Sequence, residues 1–376
     1  MSTNTLDIAK HFVELEDPRS GAQHLLIDVV IIAILATICG ADDWPAIETF
    51  GEARRVWLKT FLALPHGIPT QYTFRRVFKA LDPDQFEKCF VSWIRAIAQV
   101  TCGQVIAVDG KTLRRSHDHA EGKAPIHMVS AWATDNHLVL GQVQVDSKSN
   151  EITAIPQLLG TLDISGSIVT IAAMGCQKEI AKQIVDQKAD YLLALKKNQP
   201  NLYERTIDLF KHANTKHGKE QVPQDSYEKQ GKEHGRIERR VCHALDIREW
   251  LFYLDIKEAW SHLRTVVKVT SERTINGKTT SETRYFLSSL PCNAKRLLRA
   301  VRKHWGVENE LHWVLDIAFG EDESRLRKGH GAHNMSLLRR LALNLLRRDT
   351  TLKVGIKTKR LRAALDTEYL LHLLDI

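Results

Sequence analysis

Two structural frameworks are missing from this sequence. Its six cysteines, at 39, 89, 102, 176, 242 and 292, never occur as CxxC and never sit near a histidine at metal-finger spacing. That excludes a zinc ribbon and a disulfide scaffold and fits a reducing cytoplasm. A membrane-spanning run is missing as well. The most apolar stretch, residues 29–39, is closed off by Asp28 on one side and Asp42 and Asp43 on the other. It falls short of the roughly 20 residues a span requires, so it is predicted to be a buried helix and no membrane partner is expected. Residues 1–10 are polar and no small-residue cleavage pattern follows the apolar run, so no secretion signal is expected. Internal repeats and low-complexity tracts are also absent.

What remains is a foldable chain with an uneven charge. Its 376 residues are 43% hydrophobic and 26% charged, enough for one large core or two domains and too apolar for disorder. The net charge is +8, and residues 291–376 carry 17 Lys/Arg against 10 Asp/Glu, so nearly all of the excess lies in the last quarter. Such an excess is a footprint for a polyanion such as DNA.

Residues 1–97 read as helical: the apolar run, an amphipathic stretch at 44–64, a breaker at 65–69 (PHGIP) and a second stretch at 72–97. From 104 the pattern turns to strands. Residues 105–108 (VIAV) read as a buried strand stopping at Asp109-Gly110, and 127–134 and 138–145 as a hairpin turning at Asp135-Asn136. A helix capped by Asn150, a buried strand at 167–173, a helix at 177–187 and a strand at 191–195 follow. Residues 198–212 are predicted helical and 213–235 a polar surface loop. Strands at 237–245, 263–273 and 279–290 then form a β-rich insertion, the last two joined at Asn276-Gly277. After Pro291 helix is expected almost to the end, with a break at Gly329–Gly331.

Two carboxylates stand out. Asp109 closes a buried strand beside Gly110, where a phosphoryl-transfer enzyme would hold a divalent ion, and Lys111, Arg114 and Arg115 follow it. A strand-capping aspartate in a turn is the competing reading. Glu308 lies in RKHWGVENELHW (302–313), with His304 and His312 one turn before and after it. The competing reading there is an amphipathic helix with a solvated glutamate. Zinc on a His304/Glu308/His312 face is disfavoured because the two histidines are two turns apart and no further cluster completes the set.

Several strings together resemble the H-repeat-associated (ISAs-group) insertion-sequence transposases: IAVDGKTLRRS at 106–116, SNEITAIPQLL at 149–159, AMGCQKEIA at 173–181, DYLLALKKNQ at 190–199, HGRIERR at 234–240 and HWGVENELHWVLDIAFGED at 304–322. DPRSG at 17–21 and HGIPTQYTFRRVFKALDP at 66–83 are similar to the helical domain that precedes the catalytic domain in that family. The resemblance spans nearly the whole chain. It implies a DDE transposase of α/β class: a ribonuclease-H-like catalytic domain with a β-rich insertion, preceded by a small all-helical domain. The expected boundaries are 1–97 (helical, DNA binding), 98–197 (first part of the catalytic domain), 198–291 (insertion) and 292–376 (catalytic helix and basic helical part). Two Asp and one Glu would hold two Mg2+ or Mn2+ ions that activate water or a DNA 3'-hydroxyl.

Carried over by position, Asp109 is the first Asp and Glu308 the Glu. The second Asp belongs immediately before AMGCQ, and that position is Ala172. A methyl cannot bind a metal, so the resemblance implies a chain inactive as written. Deliberate replacement and natural decay both account for Ala172, with the intact neighbouring motifs favouring the former. Candidate DNA contacts are Lys111, Arg114, Arg115, Arg236, Arg239, Arg240, His304, Trp305, Arg325, Arg327 and Lys328, each with a packing or solvated-surface alternative. Lys196 and Lys197 at a strand end are equally consistent with a surface role, and Glu321 and Asp322 are read as fold residues.

The expected partners are terminal inverted repeats and target DNA, bound by a homodimer because joining two ends needs two centres. The expected place is the bacterial cytoplasm, at the nucleoid. A non-catalytic DNA-binding derivative and a metal-dependent nuclease without strand joining are the alternatives.

Overall fold

The computed structural model describes residues 7–98, 102–117, 122, 124–145, 150–233, 235–255 and 260–375. Residues 1–6, Ser149 and His234, which entered the readings above, lie outside them.

The N-terminal stretch is helical: a 3-10 turn (Asp7–Phe12), then α1 (Leu26–Ile38), α2 (Trp44–Ala53), α3 (Arg55–Leu58), α4 (Gln71–Ala80) and α5 (Pro83–Ile97). The apolar run becomes α1, whose residues from Asp28 to Ile38 are all buried. Such an all-round apolar helix belongs in a core. It packs against α12 (Gly331–Arg348), which also covers α4 and α5, so these helices contribute to one apolar cluster.

The strands β1 (Val105–Thr112), β2 (His127–Ala133), β3 (Leu138–Gln144), β4 (Ile168–Ile171), β5 (Asp190–Leu195), β6 (Gln224–Glu233), β7 (Arg236–Asp246), β8 (Thr265–Ile275) and β9 (Lys278–Ser288) form one sheet in the order 3-2-1-4-5-9-8-7-6. β1, β4 and β5 are mutually parallel, and all the other pairings are antiparallel. α6 (Glu151–Thr161) connects β3 to β4 and α7 (Lys178–Asp186) connects β4 to β5. Asn150 caps α6, its Oδ1 accepting the Ile152 N–H at 2.9 Å.

Three segments depart from the sequence reading. β1 does not stop at Asp109-Gly110, because β2 offers ladder partners as far as Thr112↔His127. The ladder to β4 does stop there, ending at Val108↔Ile171, after which Ala172 leads into a 3-10 turn, Ala173–Gly175. Second, the polar stretch predicted as loop folds into α9 (Lys216–Gln221), after α8 (Pro200–Ala213), and into β6. β6 is an edge strand of a ribbon with both faces largely solvated, so it carries no apolar alternation to read. Third, the helix after Pro291 is interrupted. α10 (Ala294–His304) gives way to a π-helical segment, Val307–His312, then α11 (Trp313–Phe319), a 3-10 turn (Glu321–Glu323), α12, α13 (Ile356–Leu365) and α14 (Thr367–Asp375).

β9 joins the insertion to the core: its last residues pair with β5 from Leu195↔Tyr285 to Leu192↔Ser288, while its first half extends away with β6–β8 as a ribbon. α10 packs under this junction, touching β1, β4, β6 and β7. That placement brings the π segment against β1.

Candidate active site

The sheet leaves a notch where its parallel core ends. Extending the β1–β4 register one step past Val108↔Ile171 sets Ala172 level with Asp109. By strand alternation Asp109 shares a face with Lys111, and both point toward the helical layer of the π segment and α11. There Asp109 meets Glu308 and His312, and one donor atom from each of the three lies within 4.8 Å of the others. His312 Nδ1 is 3.7 Å from Asp109 Oδ2. These donors could together hold one divalent cation.

The electrostatics follow from burial. Desolvation pushes the Asp109 carboxyl up to about 7, and the negative charge of Glu308 adds to it while the Gly110 N–H opposes it. Desolvation also pushes His312 down to about 3, with Arg340 and Lys111 contributing like charge, so its ring is neutral at pH 7. A cation placed among these groups would relieve the repulsion between the two carboxylates.

On the opposite face of β1, Gly110 adjoins a second polar group. Thr112 Oγ1 and His127 Nδ1 are 2.9 Å apart, and His127 Nε2 is 2.8 Å from Glu151 Oε1. A Cβ on Gly110 would fall 2.3 Å from Glu151 Oε1 and 2.4 Å from His127 Nε2, so only glycine leaves this pair in place. Sequence reading missed His127 and Glu151. The available signal was the resemblance string at 149–159, in which Glu151 stands at the helix start.

The remaining candidates are dispersed. The π turn, with its i→i+5 bonding, adds a residue between His304 and His312 and rotates them onto different neighbours. His304 faces β4, its Nδ1 3.0 Å from Thr170 Oγ1, and burial pushes it down to about 4. Lys111 does not present its charge to a ligand. It is 8% exposed and its ammonium is held by Asp316, by Glu321 Oε2 at 3.0 Å and by Asp322 Oδ1 at 3.5 Å. Arg114 pairs with Asp322 at 3.2 Å and Arg115 with Glu323 at 2.5 Å, both with substantial exposure. Arg327 donates to the Arg115 carbonyl at 3.2 Å, while Arg325 and Lys328 are exposed. Glu321 and Asp322 thus tie this segment to β1.

A cleft of about 1360 Å3 opens between the β6–β9 ribbon and α10. Arg236 and Arg240 line it, joined by Lys229, Arg273, Arg284, Lys295, Arg296, Arg299, Arg302 and Lys303, against the acidic Glu238, Glu272, Glu282 and Glu310. Trp305 lies in its wall, 40% exposed, with the Arg284 guanidinium 4.2 Å from its ring centroid. Arg239, one residue out of phase with Arg240, is bracketed by Glu228 and Glu272 instead. The sequence signal for the helical half was there: basic residues at 295, 299 and 302 recur at helical spacing. On the ribbon half the sequence reading named Arg236 and Arg240, while strand pairing across the insertion decides which other cations share their face.

The family described as "Transposase DDE domain" matches residues 101–345, and that described as "DDE_Tnp_1-associated" matches residues 9–94. The chain is 41% identical over 354 residues to "Putative transposase YncI" of Escherichia coli O157:H7, covering 93% of this chain and 88% of the relative. It is 40% identical over 359 residues to "H repeat-associated putative transposase YhhI" of Escherichia coli (strain K12), covering 94% and 93%. Among solved structures, a piggyBac transposase synaptic complex with hairpin DNA superposes with a TM-score of 0.42 at 12% identity, over 98% of this chain and 77% of that one.

Proposed function

The chain belongs to the transposase DDE domain family, and on that premise we propose that it is an end-binding DNA transposase whose chemistry is silenced at position 172. The observation that carries this reading is the level placement of Ala172 with Asp109, across from Glu308. Two of the three acids of a DDE centre are present and the third position holds a methyl.

The strand order 3-2-1-4-5, with an antiparallel first three and parallel β1, β4 and β5, supports a ribonuclease-H-like core. On this reading residues 98–197 begin the catalytic domain, 198–291 are its insertion, 292–376 carry the catalytic helix, and 1–97 form a helical DNA-binding domain. The basic cleft supports a DNA path. Ten cations against four carboxylates along its wall suit a phosphate backbone, and the exposed Trp305 offers a ring on which a base can stack. The partners would be inverted repeats and target DNA, the working form a homodimer, and the place of action the nucleoid. No helix among the described residues is long and apolar enough to cross a membrane.

Mg2+ takes oxygen ligands in near-octahedral geometry, and the family resemblance implies three acids around a pair of such ions. Position 172 supplies none and His312 presents a nitrogen, so the donor set as it stands does not fit that pair.

The test compares this chain with Ala172→Asp on labelled DNA carrying candidate element ends, with Mg2+ or Mn2+ and with EDTA. Asp109→Ala and Glu308→Ala in the restored background serve as controls. Metal-dependent cleavage and joining are expected only in the restored form and in neither control. Binding without cleavage in every form would favour a DNA-binding derivative, cleavage without joining a nuclease, and equal cleavage by the Ala172 form would remove Asp109 and Glu308 from the reaction centre.

A further inference from the structure

The residue at this centre that the DDE comparison leaves without a role is His312. It is 6% exposed, yet it is not a satisfied core histidine. Its Nε2 is buried with no hydrogen-bond partner, and its Nδ1 stands 3.7 Å from Asp109 Oδ2, beyond hydrogen-bond length. Both ring nitrogens thus lack a hydrogen bond, and the one that faces Asp109, Nδ1, is placed to take a ligand there. The three donors sit within 4.8 Å of one another on two different elements, β1 and the π segment. Bonds of about 2.0–2.2 Å to a shared ion would draw nitrogen and oxygen to roughly 3 Å apart. From 3.7 Å that is a small closure, and the exposed Glu308 side chain is free to swing into the third position.

We propose that Asp109, Glu308 and His312 form a mixed nitrogen–oxygen site that holds a single divalent transition ion of the Mn2+/Zn2+ class and discriminates against Mg2+. The selectivity follows from the ligands. Mg2+ demands near-octahedral oxygen coordination and retains its waters, whereas imidazole nitrogen is a good ligand for first-row transition ions. One nitrogen and two carboxylates make the ligand set of a mononuclear transition-metal centre, with positions left for water or a phosphate oxygen. Loss of the aspartate at 172 therefore does not leave a site without metal. It leaves one ion held from the Glu308 side instead of two held in common. This inference rests on the proposed function in taking Asp109 and Glu308 as a metal-holding pair, and it adds His312 to them.

The test uses the full chain and Mn2+ alone, with binding read by titration calorimetry and coordination by pulsed electron paramagnetic resonance, which detects 14N bonded to the ion. One Mn2+ per chain is expected, bound at least about ten-fold more tightly than Mg2+, with imidazole 14N modulation and displacement by Zn2+. His312→Gln, which keeps a polar side chain of similar reach, should abolish the 14N signal and weaken Mn2+ at least about ten-fold while leaving Mg2+ binding little changed. Circular dichroism of the variant checks the fold, and the 14N signal of the unmodified chain stands without any variant. Absence of bound Mn2+, bound Mn2+ without 14N coupling, or a 14N signal that survives His312→Gln would each overturn the site. Cleavage by the Ala172→Asp form is scored separately. Nitrogen-coordinated Mn2+ in a chain whose restored form never cleaves DNA would sink the transposase reading alone, and cleavage without nitrogen coordination would sink this inference alone.

Discussion

Val108 and Ile171 are the last paired residues of the parallel ladder of β1 and β4, and the next step of that register sets Ala172 level with Asp109. In a parallel pair neighbouring strands run about 4.8 Å apart, so a side chain at 172 opens into the same notch as the Asp109 carboxylate. On the proposed reading the methyl stands where a third acid would complete the centre, and the consequences for DNA and for metal are separable by experiment.

The cleft between the ribbon and α10 should act as an electrostatic track. Arg299 and Arg302 lie on its helical wall, and its lining includes neither Asp109 nor Glu308. Replacing both with alanine should weaken DNA binding and lower the slope of log K against log salt by about 0.9 for each phosphate that is no longer neutralised. Fluorescence anisotropy of a labelled duplex over a salt series reads both quantities, and an unchanged slope would place the DNA elsewhere.

The buried Lys111–Glu321–Arg340 cluster should be stabilising only as a complete set. Glu321 is 1% exposed, with Lys111 Nζ at 3.0 Å and Arg340 Nη1 at 2.8 Å. Burial alone would raise its pKa, but Arg340 and Lys111 outweigh it and hold the carboxyl at about 2. Glu321→Ala strands the buried Arg340 guanidinium and leaves Lys111 to Asp316 and Asp322, a loss of about 3–5 kcal/mol in urea unfolding. Because the folded-state pKa is depressed, this contribution is present above the ordinary glutamate range and fades as pH falls toward about 2. A loss under about 1 kcal/mol at pH 7 would show that the cations rehydrate.

Glu87 should give the opposite pH dependence. It is 8% exposed on α5, its Oε1 accepts the Gln142 N–H at 2.9 Å, its Oε2 has no partner, and burial pushes it up to about 8. The folded chain then holds a proton that the unfolded chain releases near 4.5, so stability falls as pH rises from about 4.5 to 8. Glu87→Gln removes the titration. It should match the parent near pH 4.5 and exceed it at pH 8.5 by the order of a few kcal/mol, seen as a higher Tm. A variant less stable than the parent at pH 8.5 would mean that Glu87 is ionised and paired.

Legibility in the sequence tracked the strength of the local signal. The apolar run that became α1, the strand at 105–108, the Asn150 cap and the Asn276-Gly277 hairpin each carried a physical signature within a few residues, and each lies where it was expected. β6 was not legible because a solvated ribbon strand has no buried face to impose alternation. The π segment was not legible either, since an i→i+5 turn leaves no compositional mark.

That turn also parts the row of His304, Glu308 and His312, on which a zinc face was already disfavoured. The spacing set all three along one face, but the extra residue sends His304 to Thr170 and leaves His312 with Asp109. The sequence by itself determined the family and the strand and helix order of the core, because motifs and hydrophobic runs are local in the chain. Only the tertiary structure decided which histidine meets Asp109, that Lys111 is neutralised within the fold, and which arginines share a cleft. Those depend on register and helical phase across elements some 200 residues apart, which no local pattern encodes.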